Sequence, residues 1–410
     1  MLSEHDFIGS RSLIDWEQHV NDRLGTAPAP PLSPSLLPES SAWLPMRWVR
    51  VDEHDVKAIF DSPEIARPLS AMVGDHDGGM LFPIHPLIES AFPPERVVSS
   101  GRFAVSASYR TVFYEPEGRG PFTGFAGDGE CLMLKLHLDD LLPGIAGDRR
   151  LTPAKVNKCV SLSRVLPHAL AQGGRAHRLE VIREQVGLIY GERGVLVRAV
   201  PRCTAIPLFS FYSRDDRVPG SVPIIVKCLD QLAGGPARAA GALGEWLAEP
   251  LFEAVLAGFR EGFSLELHAQ NTLVVPDPDR LIGRLLFRDL ESVVFFPDYR
   301  SQRRCPDLAL DSADPELVQH PRKPNRWFNR NMDHDVGRIL YWTLAVLERE
   351  GYFGRKELRT ARASIRSTAR RLIEQFDLEP LARQGRWLPY SRSPYGTGRR
   401  PGHYYRTMFR

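Results

Sequence analysis

Between Leu265 and Glu291 the chain reads LELHAQNTLVV, then a short turn-rich break, then LLFRDLES. Glu266, His268, Gln270 and Asn271 open the first apolar run, and Asp289 and Glu291 close the second. Brought together by a hairpin, such side chains match what a Mg²⁺–nucleotide site needs. Hard oxygen ligands hold the metal, and neutral or cationic donors hold phosphate. Strand alternation would put Glu266, His268 and Gln270 on one face. Three polar side chains on one face of an apolar strand require partners if they are buried, and a ligand or metal is one such partner. An exposed strand face is the other reading.

A second group lies in SASYRT, where Ser106, Ser108 and Arg110 would alternate onto one strand face beside Thr111, with Lys135 following in LMLKLHL. Arg and Lys with hydroxyl donors on neighbouring strands make a charge-assisted phosphate cradle. A sheet edge with its usual basic residues is the alternative. His85 in FPIHP reads as a capped or packed histidine. Arg149 and Arg150, after GIAGD, form a loop pair able to clamp a carboxylate or simply to be solvated. The Walker A, dinucleotide-binding, zinc-protease and nucleophile-elbow signatures are absent.

Positioning these groups calls for a sheet-rich scaffold. The 410 residues suffice for two or three subdomains. At 43% hydrophobic and 25% charged residues the composition is that of a soluble globular protein, and a net charge of +3 gives no argument for nucleic acid or an acidic membrane as partner. The five scattered cysteines form no C-X-X-C pair, which disfavours a zinc ribbon or disulfide framework and fits a reducing cytoplasm. No leader-like apolar segment and no membrane span is evident. We expect a short amphipathic helix within 1–25, then an arm and Pro-rich linker to residue 42. A sheet-rich nucleotide-binding region should cover 43–235, with a strand at MRWVRV, a helix at EHDVKAIFDS capped by Asp52, and single strands at FPIHP, SGRFAVSASYRTVFYE, CLMLKLHL and RGVLVRAVPR. Residues 153–190 read as mostly helical. A second region, 236–384, should hold a long helix ending at Gly262, the HAQN hairpin and closing helices. Residues 385–410 form a basic tail: no Asp or Glu follows Glu379.

Together and in this order, the motifs resemble those of the NRPS-independent siderophore (NIS) synthetases over roughly residues 80–300. FPIHP is similar to that family's His-Pro-Trp-Gln segment, SASYRT to its Ser-X-Arg-Thr motif, and LMLKLHL to the lysine-bearing strand after it. GVLVRAVP resembles the strand with an Arg near its end, LELHAQN the Glu-Ala-His-X-Gln-Asn motif, and FRD the Arg-Asp segment. The resemblance implies an α+β fold of antiparallel sheets with packed helices around a palm/fingers-like cleft, here with a reduced N-terminal (thumb) region. It implies ATP and Mg²⁺ as cofactors, small-molecule carboxylate and amine or hydroxyl substrates, and room for a homodimer. By position, Ser108, Arg110, Thr111 and Lys135 would bind the triphosphate with Gln270. Arg149 would meet phosphate and substrate carboxylate, and His268 the reacting phosphate and carboxylate. Asn271, Asp289, Glu266 and Glu291 would hold Mg²⁺.

The sequence departs from the pattern at three places. Only about 80 residues precede His85, Leu87 and Ile88 replace Trp and Gln, and RDLES replaces Arg-Asp-Phe-Gly-Gly. The last two suggest a divergent substrate or an inactive relative that binds nucleotide or carboxylate. A kinase-like phosphotransferase is the other enzymatic reading, since His268, Asn271 and Asp289 echo a catalytic loop and metal-binding Asp. Ala269 and Gln270, however, stand where that loop's catalytic Asp belongs. Arg326, Arg330, Asn331 and His334 are substrate-pocket candidates from a basic segment. The acid and the nucleophile are not named by the sequence.

Overall fold

The computed structural model describes residues 11–20, 34–40, 42–74, 79–108, 110–118, 120–139, 149–172, 178–308, 310 and 324–384. The basic tail from residue 385 lies outside the described residues, as do 140–148 and the Gly173–Gly174 break. In chain order the strands of the larger sheet are β1 (Trp43–Val51), β2 (Val56–Phe60), β3 (Met80–Ile84), β4 (Val97–Val105), β5 (Thr111–Glu115) and β6 (Glu130–Leu136). After β7 (Leu179–Val181), which belongs elsewhere, come β8 (Val186–Tyr190) and β9 (Arg193–Pro201). They run in the order β2-β8-β9-β6-β5-β4-β1-β3, every pair antiparallel.

A second sheet follows the order β10-β12-β13-β7, with β10 at Ile206–Pro207, β12 at Thr272–Asp277 and β13 at Arg280–Phe287. Here β7 joins β13 in parallel. The pair β11 (Phe263–Ser264) and β14 (Val294–Phe295) completes the sheet structure of the described residues. The fold is therefore α+β with antiparallel sheets and packed helices, as expected.

Alternation along β5, β6 and β9 decides which side chains meet the second sheet. Phe113, Cys131, Met133 and Val200 pack with Leu273 and Leu286 of the second sheet and with Leu13 of an N-terminal helix. Their neighbours Val112, Tyr114, Leu132, Leu134 and Val197 turn to the opposite core, which Trp48, Phe82 and Phe122 fill. Because side chains repeat every second residue, Thr111, Lys135 and Arg198 must share the face of Phe113, Met133 and Val200. Register aligns them: Thr111 pairs with Lys135, and Met133 with Arg198.

Several expectations need correction. EHDVKAIFDS is not a helix. Asp52 caps a 3₁₀ turn, Glu53–Asp55, and VKAIF becomes β2, where its β-branched and aromatic residues pair with β8. SGRFAVSASYRTVFYE forms two strands, β4 and β5, rather than one. Within 153–190 only Pro153–Gln172 is helical among the described residues, and β7 and β8 follow. The long helix before Gly262 runs as Pro236–Leu243, a π-helical turn Gly244–Ala248, and Glu249–Arg260. Gly262 has φ 79°, the left-handed conformation expected of a helix-ending glycine. Helices Arg338–Arg349 and Arg355–Gln375 close the fold as expected. Among the described residues no helix is long and apolar enough to cross a membrane.

The helix Pro153–Gln172 lies close against β8 and β9 because both strands carry a glycine beneath it. A Cβ on Gly187 would sit 2.3 Å from a Val156 methyl. One on Gly194 would meet the other Val156 methyl at 2.3 Å and the Leu151 carbonyl oxygen at 2.8 Å. Backbone cannot step aside as a side-chain tip can. We expect Gly194→Ala to lower the unfolding free energy by about 1–3 kcal/mol, the usual cost of overpacking. Urea unfolding measures it, and an unchanged midpoint and slope would refute this account of the helix seat.

Candidate functional site

The site gathers where the β4–β5 connection, Lys135 and the end of β13 meet. Ser106, Ser108 and Arg110 do not alternate along a strand as expected. Ser106 Oγ donates to the Thr111 carbonyl at 2.6 Å and accepts from the Ser108 backbone N–H at 3.2 Å. Such side-chain-to-backbone bonds compete with strand pairing and favour a turn. The turn still delivers the hydroxyls inward: Ser106, Ser108 and Thr111 line a small cavity with Met133, Arg198, Gln270, Asn271, Arg288 and Asp289.

The HAQN segment is likewise a turn rather than a strand face. His268 Nδ1 accepts the backbone N–H of Gln270 at 3.2 Å and of Asn271 at 3.3 Å, and Thr272 Oγ1 donates to the His268 carbonyl at 3.1 Å. With Nδ1 accepting, the ring proton sits on Nε2. Burial pushes the His268 pKa below its usual value, against the opposing charges of Glu266 and Asp335, so the ring is neutral near pH 7. Asn271 Nδ2 donates to the Glu266 carbonyl at 3.3 Å, leaving its amide oxygen for another partner.

At the far end of the hairpin, Asp289 has φ 80°, a left-handed conformation uncommon outside glycine and tolerated by Asp. This bend aims Asp289 and Glu291 at the first sheet. Lys135, essentially inaccessible to water, forms ion pairs with Asp289 Oδ1 and, at 2.8 Å, with Glu291 Oε2. Arg110 donates to Glu291 at 2.5 Å and to the Arg149 carbonyl at 2.6 Å. Lys155 meets the other Glu291 oxygen at 3.1 Å, and Lys158 donates to the Glu291 carbonyl at 2.7 Å. Arg198 pairs with Glu184 at 3.1 Å, both fully buried. Arg288 donates through Nε and Nη2 to the Gln270 carbonyl at 3.1 and 2.9 Å, tying the hairpin's two ends together.

Burial alone would raise the Asp289 and Glu291 pKa values. The charges of Lys135 and Arg110 outweigh it, joined by Arg198 at Asp289 and Lys155 at Glu291. Asp289 ends well below the usual carboxylate range and Glu291 at about 2. Burial raises Glu184 against Arg198 and Lys135. Among the described residues, the cluster's cations (Arg110, Lys135, Lys155, Lys158, Arg198, Arg288) outnumber its carboxylates (Glu17, Glu184, Asp289, Glu291). Arg198 Nε is a buried donor without a hydrogen-bond acceptor, on a side chain that lines the cavity. An oxyanion is the chemistry that would complete both.

Metal chemistry is less fully prepared. Among the described residues no group of three or more His, Cys, Asp or Glu side chains is set to hold a metal ion. Of the four expected ligands, Asp289 and Glu291 lie together and Asn271 lines the same cavity as Asp289. Glu266 is instead held by Arg330 at 2.7 Å. That pair opens a second polar group: Asn331 donates to the Leu265 carbonyl and accepts from Ser264 Oγ at 3.0 Å, and His334 Nδ1 meets Asp335 at 3.2 Å. Its backbone, Asn331–Gly337, is a π-helical turn, a form frequent at functional sites. Arg149 reaches the cluster through its backbone carbonyl, and His85 Nδ1 caps the 3₁₀ turn Pro86–Ala91.

The sequence motifs do not include Glu17, Glu184, Lys155 or Lys158, and Arg288 enters them only as the Arg of FRD. Glu17 had a readable signal: Leu13, Trp16, Glu17 and Val20 share one helical stripe and are all buried, so a carboxylate sits on an apolar face. Glu184 and Arg198 find each other only through the pairing of β8 with β9, which no local pattern announces.

Set beside solved structures, the chain has the fold of the NIS synthetases. It matches the ATP-bound aerobactin synthetase IucA from a hypervirulent pathotype of Klebsiella pneumoniae with a TM-score of 0.64 and 17% identity, over 89% of this chain and 70% of that one. The petrobactin biosynthesis protein AsbB from Bacillus anthracis Sterne matches with a TM-score of 0.62 and 15% identity, over 91% and 70%. In another IucA structure (TM-score 0.58, 17% identity) the match covers 84% of this chain but 65% of the synthetase, so the chain spans about two thirds of that relative. Neither family models nor curated protein sequences match the chain. At these identities the likeness is one of fold.

The depressed pKa of Glu291 has a sign that can be checked. Its ionised form is favoured in the folded state, so its stabilisation is complete above the unfolded value of 4.5 and is lost as pH falls toward about 2. We expect Glu291→Gln to flatten the fall in unfolding free energy between these two pH values, measured by urea titration at stepped pH. Parallel curves for variant and wild type would contradict the ion-pair assignment.

Proposed function

We propose that the protein is an ATP-dependent ligase that adenylates a small carboxylic acid and condenses it with an amine or hydroxyl, releasing AMP and pyrophosphate. Siderophore or related natural-product assembly is the setting suggested by the fold. The observation that carries this reading is the surplus of buried cations around Thr111, Lys135 and Arg198, facing the neutral His268 turn within a fold matched by an ATP-bound synthetase.

The cavity as it stands is about 10 Å³, room for one water, so a triphosphate would need the site to widen, and the Lys135–Asp289 pair at its edge is the contact to part. Phosphate oxygens would replace the carboxylates on Lys135 and Arg110, and the hydroxyls of Ser108 and Thr111 would add directional bonds. Asp289, Glu291 and the Asn271 amide oxygen are the groups to hold Mg²⁺, which commonly uses few protein ligands and keeps water and phosphate oxygens. The metal would neutralise charge on the phosphates. Attack of a carboxylate on the α-phosphate brings two anions together, and fixed cations lower that barrier without reorganising. The Nε2–H of His268 is a donor suited to an oxygen of the reacting groups. Arg330, already holding one carboxylate, suits a substrate carboxylate.

Incubation with ATP, Mg²⁺ and a panel of polycarboxylic and amino acids, with and without amines, should release AMP. Ser108→Ala and Thr111→Ala should each slow release about tenfold, the worth of a hydrogen bond to a charged group. ADP as the product would move the protein to the phosphotransferases. Absence of both products across the panel would leave the reading without its reaction.

A further inference from the structure

Glu17 lies on the helix Leu13–His19, in a part of the chain that no site motif covers, and its side chain is wholly buried. One carboxylate oxygen, Oε2, accepts the backbone N–H of Ala107 at 2.8 Å. The other forms an ion pair with Arg288. Ala107 stands between Ser106 and Ser108 in the turn that lines the cavity. Arg288 lines the same cavity and grips the Gln270 carbonyl. A single carboxylate thus joins the hydroxyl-bearing turn of the larger sheet to both ends of the HAQN–RDLES hairpin.

The helix that carries it is anchored from several sides. Ser12 caps it, the Leu13 N–H donates to the Arg202 carbonyl, and Arg11 pairs with Asp215. Gln18 Nε2 reaches the Val105 carbonyl at 3.5 Å, at the base of the same turn. A buried carboxylate is costly unless its partners are well placed, and here both partners are groups of the site rather than of the surrounding core.

The geometry points to Glu17 as a positioning residue for the nucleotide pocket, holding Ala107 with the flanking Ser106 and Ser108, and the Arg288 guanidinium, in the register that an anionic ligand requires. This rests on the adenylation reading only for the identity of the ligand. The positioning itself is a property of the unliganded protein.

The test compares the full chain as wild type, Glu17→Gln and Leu13→Ala. Leu13 is buried on the same helix but touches the site through no polar group. Three quantities are read: melting temperature, exchange of the Ala107 amide relative to amides of β8, and affinity for α,β-methylene-ATP with Mg²⁺. Glu17→Gln should weaken analogue binding and speed Ala107 exchange by about tenfold each, as expected for a lost charge-assisted bond. Leu13→Ala should lower the melting temperature and leave both ratios near wild type. Equal losses in the two variants, or no change in Glu17→Gln, would overturn the positioning role. If the wild type binds no nucleotide, the adenylation reading falls, and Ala107 exchange still decides for or against Glu17.

Discussion

The structure turns on one buried ammonium. Lys135 sits mid-sheet between Thr111 and Leu196, where neither water nor backbone provides a counter-charge. Desolvating an isolated ammonium costs several kcal/mol even after relaxation, so the chain must bring anions to it. Asp289 and Glu291 arrive from the end of β13, and their arrival fixes how the smaller sheet closes on the larger one. The same carboxylates draw in Arg110 from the β4–β5 turn and Lys155 with Lys158 from the helix above. Apolar packing of Phe113, Met133, Leu273 and Leu286 supplies the adhesion between the sheets. The ion pairs join the two sheets beside that packing.

Stability and ligand binding then draw on the same groups. In the proposed reading, an anion that reaches Lys135 must displace carboxylates that are already good partners. Nucleotide alone would gain little from that exchange. A divalent cation that occupies the freed carboxylates removes the penalty, and by linkage each ligand strengthens the other by the same factor. Excess positive charge favours the anion over a neutral substrate of the same size. The neutral His268 stands outside this exchange, held by two backbone N–H groups rather than by a charge.

Much of this was legible in the sequence because strand alternation is a strong pattern. CLMLKLHL and RGVLVRAVPR read as strands and form β6 and β9, FPIHP ends β3 at Ile84, and the helices after Val336 follow their apolar spacing. Three of the failures share one cause, side chains that bond their own backbone. Ser106 and His268 convert alternation in the sequence into turns, and Asp52 caps a 3₁₀ turn where the helix-like spacing begins. Helical periodicity over 153–190 misled for another reason. Short apolar runs fit strand and helix alike, and VGLIY is decided by its partners, β2 and β9. The site's residue types were visible, but Glu17, Glu184, Lys155 and Lys158 join it from elements distant in sequence.

Glu291 shows how the same fold carries a different balance of charge. In the pattern that RDLES resembles, its position belongs to glycine, which brings no charge and leaves space. Here a carboxylate fills that space and meets Lys135, Arg110 and Lys155 at once. Held at a pKa of about 2, it stays ionised at any physiological pH. In the proposed reading an incoming phosphate would meet cations already engaged by an internal anion, while a divalent metal would meet two adjacent carboxylates rather than one. On the adenylation proposal, such a site would depend more steeply on the metal than one built with glycine, since the metal would both hold the phosphate and release the cations that bind it.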